Sequence, residues 1–313
     1  MQRSLRIKKL KNILVTGATG FVGQHFIKCF KLEGYNIRAV SRKLIPGVET
    51  IICDFLKDDI PDNALKDIDI VFHLAGYAHD LKSESGIEQT YQKINVNVTA
   101  DLLSLSAKHN VKKFIFVSSV KAGGNPVRGE CAAEKDQNDP AGIYGKTKLE
   151  AELKVLEAGR KSDIHVSILR PALIYGPKVK GNLQLMMQGI KKGWFPPLPE
   201  IGNRRSMIHV DDIVRALLFL TNNKKSNGEV FIATDGRVYS SRNIYEAMCY
   251  VLDKNVPNWS VPRLLFNAIA RLSSGFKYKI DKLLGDECYS SKKLQSLGFK
   301  AQKQLRQMNE TDF

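Results

Sequence analysis

One octapeptide constrains this chain more than any other: Thr16-Gly17-Ala18-Thr19-Gly20-Phe21-Val22-Gly23. It closes a short apolar run, Asn12–Thr16, and opens a stretch, Phe21–Leu32, with apolar residues at helical spacing. The run reads as a buried strand and the stretch as a helix that Gly34 can stop. Glycines between them let the backbone turn tightly and come close to other atoms. A strand, a glycine turn and a helix make the first half of a βαβ unit, so a parallel sheet is expected.

The following segments keep that rhythm. Ile37–Val40, Asp69–Leu74, Lys113–Ser118 and His165–Leu169 read as strands, with helical stretches around Ile94–His109 and over Gly142–Arg160. Alternating strands and helices predict an α/β fold, a doubly wound parallel sheet of Rossmann type, over residues 1–175. After Gly176-Pro177 glycine and proline punctuate the chain. Residues 176–313 are therefore expected to form a smaller α/β lobe that holds the substrate. Its helical segments are Leu183–Ile190, Asp211–Leu220 and Arg242–Leu252, with a late strand at Glu229–Thr234. The stretch 211–234 is expected to pack back on the larger lobe.

The 313 residues carry a formal charge of +16, which suits anionic partners: nucleotide phosphates, nucleic acid or an acidic membrane surface. Part of the excess sits at the start, on Arg3, Arg6, Lys8, Lys9 and Lys11, and part after Lys277. No nucleic-acid motif accompanies it, so nucleic acid is not an expected partner. The five cysteines, Cys29, Cys53, Cys131, Cys249 and Cys288, are widely spaced without a C-x-x-C pair. Neither a disulfide framework nor a metal site is suggested. The apolar run behind the basic N-terminus is too short for a signal peptide, and no run of about 20 apolar residues suggests a membrane span. The expected location is cytoplasmic.

A glycine turn leading into a helix N-terminus presents free N–H groups and a partial positive charge to a pyrophosphate. The spacing is G-x-x-G-x-x-G, which resembles the extended branch of the short-chain dehydrogenase/reductase superfamily. Further blocks fall in that family's order: Asp54-Phe55, His73-Leu74-Ala75-Gly76, Asn95 within INVNVT, Ser118-Ser119, Tyr144-Gly-Lys-Thr-Lys148, and Arg170-Pro171-Ala-Leu-Ile-Tyr175-Gly-Pro. The resemblance covers about the first 180 residues. It implies an NAD(P)(H) cofactor held by Gly17, Thr19, Gly20, Phe21, Val22, Gly23, Arg42, Asp54, Phe55, Leu74, Ala75, Gly76, Asn95, Tyr144, Lys148 and Pro171. It also implies catalysis by Ser119, Tyr144 and Lys148, with Ser119 preferred to Ser118 by its place before Val120-Lys121.

The chemistry explains the residue types. On a helix Tyr144 and Lys148 share a face, one turn apart. A free tyrosine ionises near pH ~10. A neighbouring ammonium and a cationic nicotinamide pull it toward neutrality, so it can exchange a proton with a sugar hydroxyl or a carbonyl. The bland alternative is a solvated helix face. The second strand ends Val40-Ser41-Arg42, without the acidic residue that favours NAD. Ser41 and Arg42 either accept a 2′-phosphate, which leans toward NADP(H), or Arg42 only stacks on adenine.

Arg204-Arg205-Ser206-Met207-Ile208-His209-Val210-Asp211-Asp212 resembles a block of nucleotide-sugar epimerases. Through that resemblance Asn182, Arg205 and Arg204 would meet the diphosphate of a UDP-sugar, and Lys121 would face the substrate. The alternative is that both arginines are surface charge. The whole is similar to the UDP-galactose 4-epimerase group and its bacterial surface-polysaccharide relatives, 4-epimerases and 4-keto-sugar reductases. Lys121 stands where epimerases have threonine, and the Thr-Asp-Glu triplet of 4,6-dehydratases is absent. Competing readings are a ketone reductase of another substrate class and a non-catalytic redox sensor on the same fold. A homodimer is expected. Val261–Leu272 is amphipathic, with Lys and Arg nearby, and reads either as a helix packed in the small lobe or as one lying on a membrane surface.

Overall fold

The computed structural model describes residues 11–78, 86–136, 138–140 and 142–308, without the side chain of Arg306. Arg3, Arg6, Lys8 and Lys9 lie outside the described residues. Chain contacts divide the protein into two units. Unit one takes the residues through Val117, then Thr147–Ile168 and Leu220–Glu229. Unit two takes Ser118–Lys146, Leu169–Phe219 and the residues from Val230 on. Gly176, where the sequence texture changes, lies inside unit two.

Unit one begins with β1 (Asn12–Thr16), α1 (Phe21–Leu32), β2 (Asn36–Ser41), β3 (Glu49–Ile52) and β4 (Ile70–His73). It continues through α2 (Ile87–Tyr91), α3 (Val98–Lys108) and β5 (Lys113–Val117). The helix α4 (Gly142–Lys161) and the strand β6 (His165–Pro171) follow, each spanning a unit boundary. Ile13, Leu14 and Val15 have no exposed surface, as befits a strand covered on both faces. Aromatic rings tie α1 to the sheet: Phe26 lies 3.9 Å from Phe30 and 4.7 Å from Phe72. Burying each such ring stabilises the fold by about 1.5–3 kcal/mol.

The seven-stranded sheet runs β3-β2-β1-β4-β5-β6-β9, where β9 is the later strand Glu229–Ala233. β1 pairs in parallel with β2 and with β4. The chain thus changes direction across the sheet between β1 and β4, and the crevice outside their carboxyl ends is where such folds take ligands. This is the doubly wound Rossmann fold. The sequence pattern missed β3, a four-residue edge strand without a buried residue.

Unit two contains β7 (Leu173–Tyr175), α5 (Asn182–Lys192), β8 (Arg205–His209), most of α6 (Val210–Asn222) and most of β9. It ends with β10 (Val238–Tyr239), α7 (Ser241–Val251), α8 (Arg263–Ala270), α9 (Ser274–Leu284) and α10 (Lys292–Ser296). β8 is the centre of a second sheet, β10-β8-β7. All five of its residues are buried, although it opens with an arginine and closes with a histidine. Asp212, with no exposed surface, accepts from the backbone N–H of Gln302 and Lys303 and from Arg215. The cysteine spacing suggested no disulfide, yet Cys131 and Cys288 are joined across 157 residues. The physical reason is tertiary: Ala132 bridges Tyr289 in parallel, which sets the two cysteines side by side.

Candidate active site

The glycine turn is decided by missing side chains. Gly17 has φ +72°, and a Cβ there would sit 2.6 Å from the backbone N of Ala75. A Cβ on Gly23 would lie 2.1 Å from the carbonyl oxygen of Gly17. The backbone N–H of Gly20 donates to Gly17 O at 2.9 Å, closing the turn. Gly20 has no side chain to cap α1, and the first turn of α1 has no acidic residue. Its free N–H groups are therefore left without a capping side chain. Exposed Thr19, half-buried Phe21 and Val22, and the turn Leu74–Gly76 complete this end. The Gly17 and Leu74–Ala75 turns pack backbone on backbone, with no room for a Cβ between them.

Beneath the turn runs a polar chain within unit one. Ala75 N–H donates to Thr16 Oγ1 at 3.2 Å, and Thr16 Oγ1 lies 2.6 Å from His73 Nδ1. His73 Nε2 lies 2.9 Å from Thr99 Oγ1, whose proton goes to Asn95 O at 2.8 Å. Thr99 must therefore accept from His73 Nε2–H, and Thr16 must donate to Nδ1. Burial, followed by the charge of Lys148, pushes the His73 imidazole down to about 3, so it stays neutral.

Asn95 sits in a π-helical turn, Gln92–Asn97, that interrupts the expected single helix. Its Oδ1 accepts from Tyr77 N–H at 2.7 Å, and its Nδ2 donates to Tyr77 O and to Thr147 Oγ1, each at 3.1 Å. One side chain thus holds Tyr77, just after Gly76, against α4. Lys148 is 2 % exposed. Its ammonium donates to Val117 O at 2.8 Å and lies 4.1 Å from the centre of the Phe116 ring. Burial pulls its pKa down to about 7, against the opposing charge of Glu152.

Tyr144 stands four residues before Lys148 on α4 and is half-buried. Ser119 caps the short turn Val120–Gly123, its Oγ accepting from Lys121 N–H at 3.2 Å. Gly145, which sequence reasoning did not single out, presses α4 on that turn. A Cβ on Gly145 would lie 2.6 Å from Lys121 O. This is how the serine turn and the tyrosine helix come together within unit two. Ser118, set aside in favour of Ser119, has a buried Oγ with no partner among the described residues.

Arg42, Asp54 and Phe55, which follow β2 and β3, are exposed or half-buried. Arg42 is exposed after β2, and Asp54 Oδ1 accepts from Leu56 N–H at 3.2 Å, ordering the turn that carries Phe55. Pro171 is buried at the end of β6.

In unit two Lys121 and Arg205 meet on one carboxylate. Lys121 Nζ lies 2.6 Å from Glu287 Oε1, and Arg205 Nη2 lies 3.3 Å from Glu287 Oε2. Burial pushes the Glu287 carboxyl up, but the charges of Lys121 and Arg205 outweigh it and hold the pKa below the usual value. Arg205 Nη1 also donates to Lys282 O at 2.6 Å. Arg204 donates to Gly129 O and, at 3.1 Å, to Cys131 Sγ. Asn182 is exposed in the first turn of α5. Glu287 was missed because nothing in GDECYSS marks that glutamate as the partner of residues 82 and 166 positions earlier. Among the described residues no group of three or more His, Cys, Asp or Glu could hold a metal. No helix among them is long and apolar enough to cross a membrane.

The family described as NAD dependent epimerase/dehydratase matches residues 13–233. The chain belongs to that family. It is an enzyme of the extended short-chain dehydrogenase/reductase class. A UDP-glucose 4-epimerase of Vibrio cholerae is 30% identical over 262 residues, 82% of this chain and 79% of that one. An Escherichia coli O157:H7 relative, N-acetyl-alpha-D-glucosaminyl-diphospho-ditrans,octacis-undecaprenol 4-epimerase, is 27% identical over 95% of this chain and 92% of its own. Among solved structures, the Thermotoga maritima UDP-glucose 4-epimerase with UDP-glucose aligns at a TM-score of 0.76 and 22% identity over 96% of each chain. The Bacillus cereus UDP-glucuronic acid 4-epimerase with UDP-glucuronic acid and NAD aligns at 0.75 and 22%, covering 95% and 96%. These alignments show the fold of the epimerase/dehydratase family.

Proposed function

We propose that the protein transfers hydride at C4 of a UDP-hexose or UDP-N-acetylhexosamine, as a 4-epimerase of surface-polysaccharide synthesis. The observation that carries the reading is the buried Lys148 one helical turn from Tyr144, with Gly145 between them pressed on the serine turn. Tyr144 Oη takes the proton of the C4 hydroxyl, and Ser119 Oγ hydrogen-bonds the same oxygen. Lys148 holds the nicotinamide ribose, and its ammonium favours the tyrosinate. A dinucleotide held by its pyrophosphate at the glycine turn would supply reversible hydride acceptance at its nicotinamide. Once the 4-keto sugar had turned over, return of the hydride to its other face and of the proton from Tyr144 would give the C4 epimer. Arg205, Arg204 and Asn182 hold the diphosphate, and Lys121 faces the sugar. Both NAD-containing and UDP-sugar-containing structures of the same fold support this reading.

A second reading is favoured by exposed Arg42 where a carboxylate would select NAD. It is a one-way, NADPH-dependent reduction of a UDP-4-keto-6-deoxy-N-acetylhexosamine. The test is incubation of the purified protein with UDP-N-acetylglucosamine, and separately with the 4-keto sugar and NADPH, with products read by NMR. A C4 epimer formed without net nicotinamide oxidation supports the first reading. Stoichiometric NADPH oxidation supports the second. A protein that binds the cofactor and turns over neither substrate overturns both.

A further inference from the structure

Helices α8 and α9 form a hairpin that buries almost nothing. Phe266 is the one buried side chain of α8, and α9 has none. Every residue from Arg271 to Lys279 is exposed. Leu264 is 79 % exposed and Leu272 74 %, and Leu265, Ile269, Phe276, Tyr278 and the preceding Trp259 are exposed as well. Helices of 8 and 11 residues are marginal in water by themselves. In a folded protein the apolar face of such a helix is what stabilises it, and here no other described residue covers that face. Exposed leucines scattered singly would need no account, but Leu264, Leu265 and Ile269 share α8, Leu272 follows it, and Phe276 and Tyr278 stand on the packed neighbour α9.

The charge around the apolar residues narrows the cover to one kind. Between Trp259 and Leu284 the chain carries Arg263, Arg271, Lys277, Lys279 and Lys282 against the single carboxylate Asp281. A second copy docking on the same face would bring ten cations together against two carboxylates, since a two-fold interface repeats the same patch. A lipid headgroup region offers the complement: phosphates for the ammonium and guanidinium groups, and acyl chains for leucine, phenylalanine and tryptophan. We propose that the α8–α9 hairpin docks the protein on an anionic phospholipid bilayer, lying in the interface without crossing it. The end of α9 is fastened within unit two to Arg205, which donates to Lys282 O and Gly285 O, and to Ser241, which donates to Leu283 O. Docking therefore holds the segment that carries Glu287 near the lipid surface. The inference does not depend on whether the substrate carries a nucleoside or a lipid.

The test is sedimentation of the full-length protein with vesicles of phosphatidylcholine alone and of phosphatidylcholine with phosphatidylglycerol. Partition onto the anionic vesicles is expected to exceed that onto the neutral ones by at least about tenfold and to weaken with salt. Leu264→Asp with Leu272→Asp, and separately Lys277→Glu with Lys279→Glu, should each lower it about tenfold or more. Both double variants should bind NAD(P) as the parent does, which shows that they fold. Partition independent of phosphatidylglycerol overturns the proposal. So does a parent dimer that falls apart in the Leu264→Asp, Leu272→Asp protein, because the face would then be covered by a second copy. Because the readout is sedimentation, it is separate from any failure of the C4 chemistry.

Discussion

Around Gly17 in unit one a Cβ has no room, and around Glu287 in unit two three charges share one corner. The first arrangement is steric and uncharged: glycines, a neutral histidine and threonine hydroxyls in a directed chain. The second is ionic, with Lys121 and Arg205 converging on a half-buried carboxylate. A steric cradle accepts only what matches its shape and stays as it is when the ligand leaves. An ion cluster is adjustable: on the proposed function, a diphosphate arriving at Arg205 would compete with Glu287 for the same guanidinium. On the proposed function, the nucleotide end would thus be preformed and the substrate end able to exchange partners.

The largest expected effect falls on the tyrosine, which belongs to neither kind of arrangement. Tyr144→Phe should lower turnover by about 10²–10⁴-fold with cofactor affinity nearly unchanged. A variant that keeps more than about a tenth of the parent rate removes Tyr144 from proton transfer.

Gly23→Ala probes the steric half. The added methyl meets the Gly17 carbonyl oxygen at 2.1 Å, a backbone atom that cannot move cheaply. We expect a loss of about 3 kcal/mol in denaturant unfolding, together with weaker cofactor binding by titration. Parental stability and affinity would show that the turn is not as rigid as the comparison requires.

Glu287→Gln probes the ionic half and should cost about 1.5–3 kcal/mol, because Lys121 and Arg205 are left facing each other. Adding Lys121→Met should return part of that loss, and the double-mutant cycle measures how much. Purely additive losses would mean that the cluster is not a unit.

Acid sharpens the contrast. His73 binds its proton at about 3 in the folded protein and near pH ~6.5 when unfolded. The unfolded chain therefore takes up the proton first, and the His73 contribution to stability, complete above pH ~6.5, is lost as pH falls toward 3. Urea unfolding at pH ~7 and pH ~4.5 should show a smaller acid loss in His73→Gln than in the parent. An equal loss in both would contradict the neutral, buried state of the ring.

The smallest effect is expected at exposed Arg42. Arg42→Asp should shift the NADPH-to-NADH ratio of kcat/KM toward NADH by about tenfold, or 1.4 kcal/mol. An unchanged ratio means that Arg42 does not read a 2′-phosphate.

The parts legible in the sequence are those whose physics is local. β1, the glycine turn and α1 follow one another without a gap, so period and composition identify them together. Tyr144 and Lys148 are one helical turn apart, and that spacing already implies a shared face. Asp211–Leu220 and Arg242–Leu252 read as helices because each repeats its apolar face over about three turns, and the structure has helices over Val210–Asn222 and Ser241–Val251. The π-helical turn at Gln92–Asn97 was not legible, because it follows the hydrogen bonds of Asn95 to Tyr77, 18 positions earlier, and Thr147, 52 positions later. Nor was the pairing of Cys131 with Cys288, which depends on two strand-like segments lying side by side.

By itself, then, the sequence determined where the backbone must turn without side chains and which helix carries a tyrosine above a lysine. Glycine sterics and helical period act over a few residues and need no partner from elsewhere. Only the tertiary structure decided that Lys148 is buried on Val117 O, that Gly145 seats its helix on the Ser119 turn, and that Glu287 gathers Lys121 and Arg205. It also decided that Leu264 and Leu265 of α8, and Leu272 just after it, are left bare. Desolvation and charge pairing depend on what surrounds a group in space, and chain order alone does not specify that surrounding.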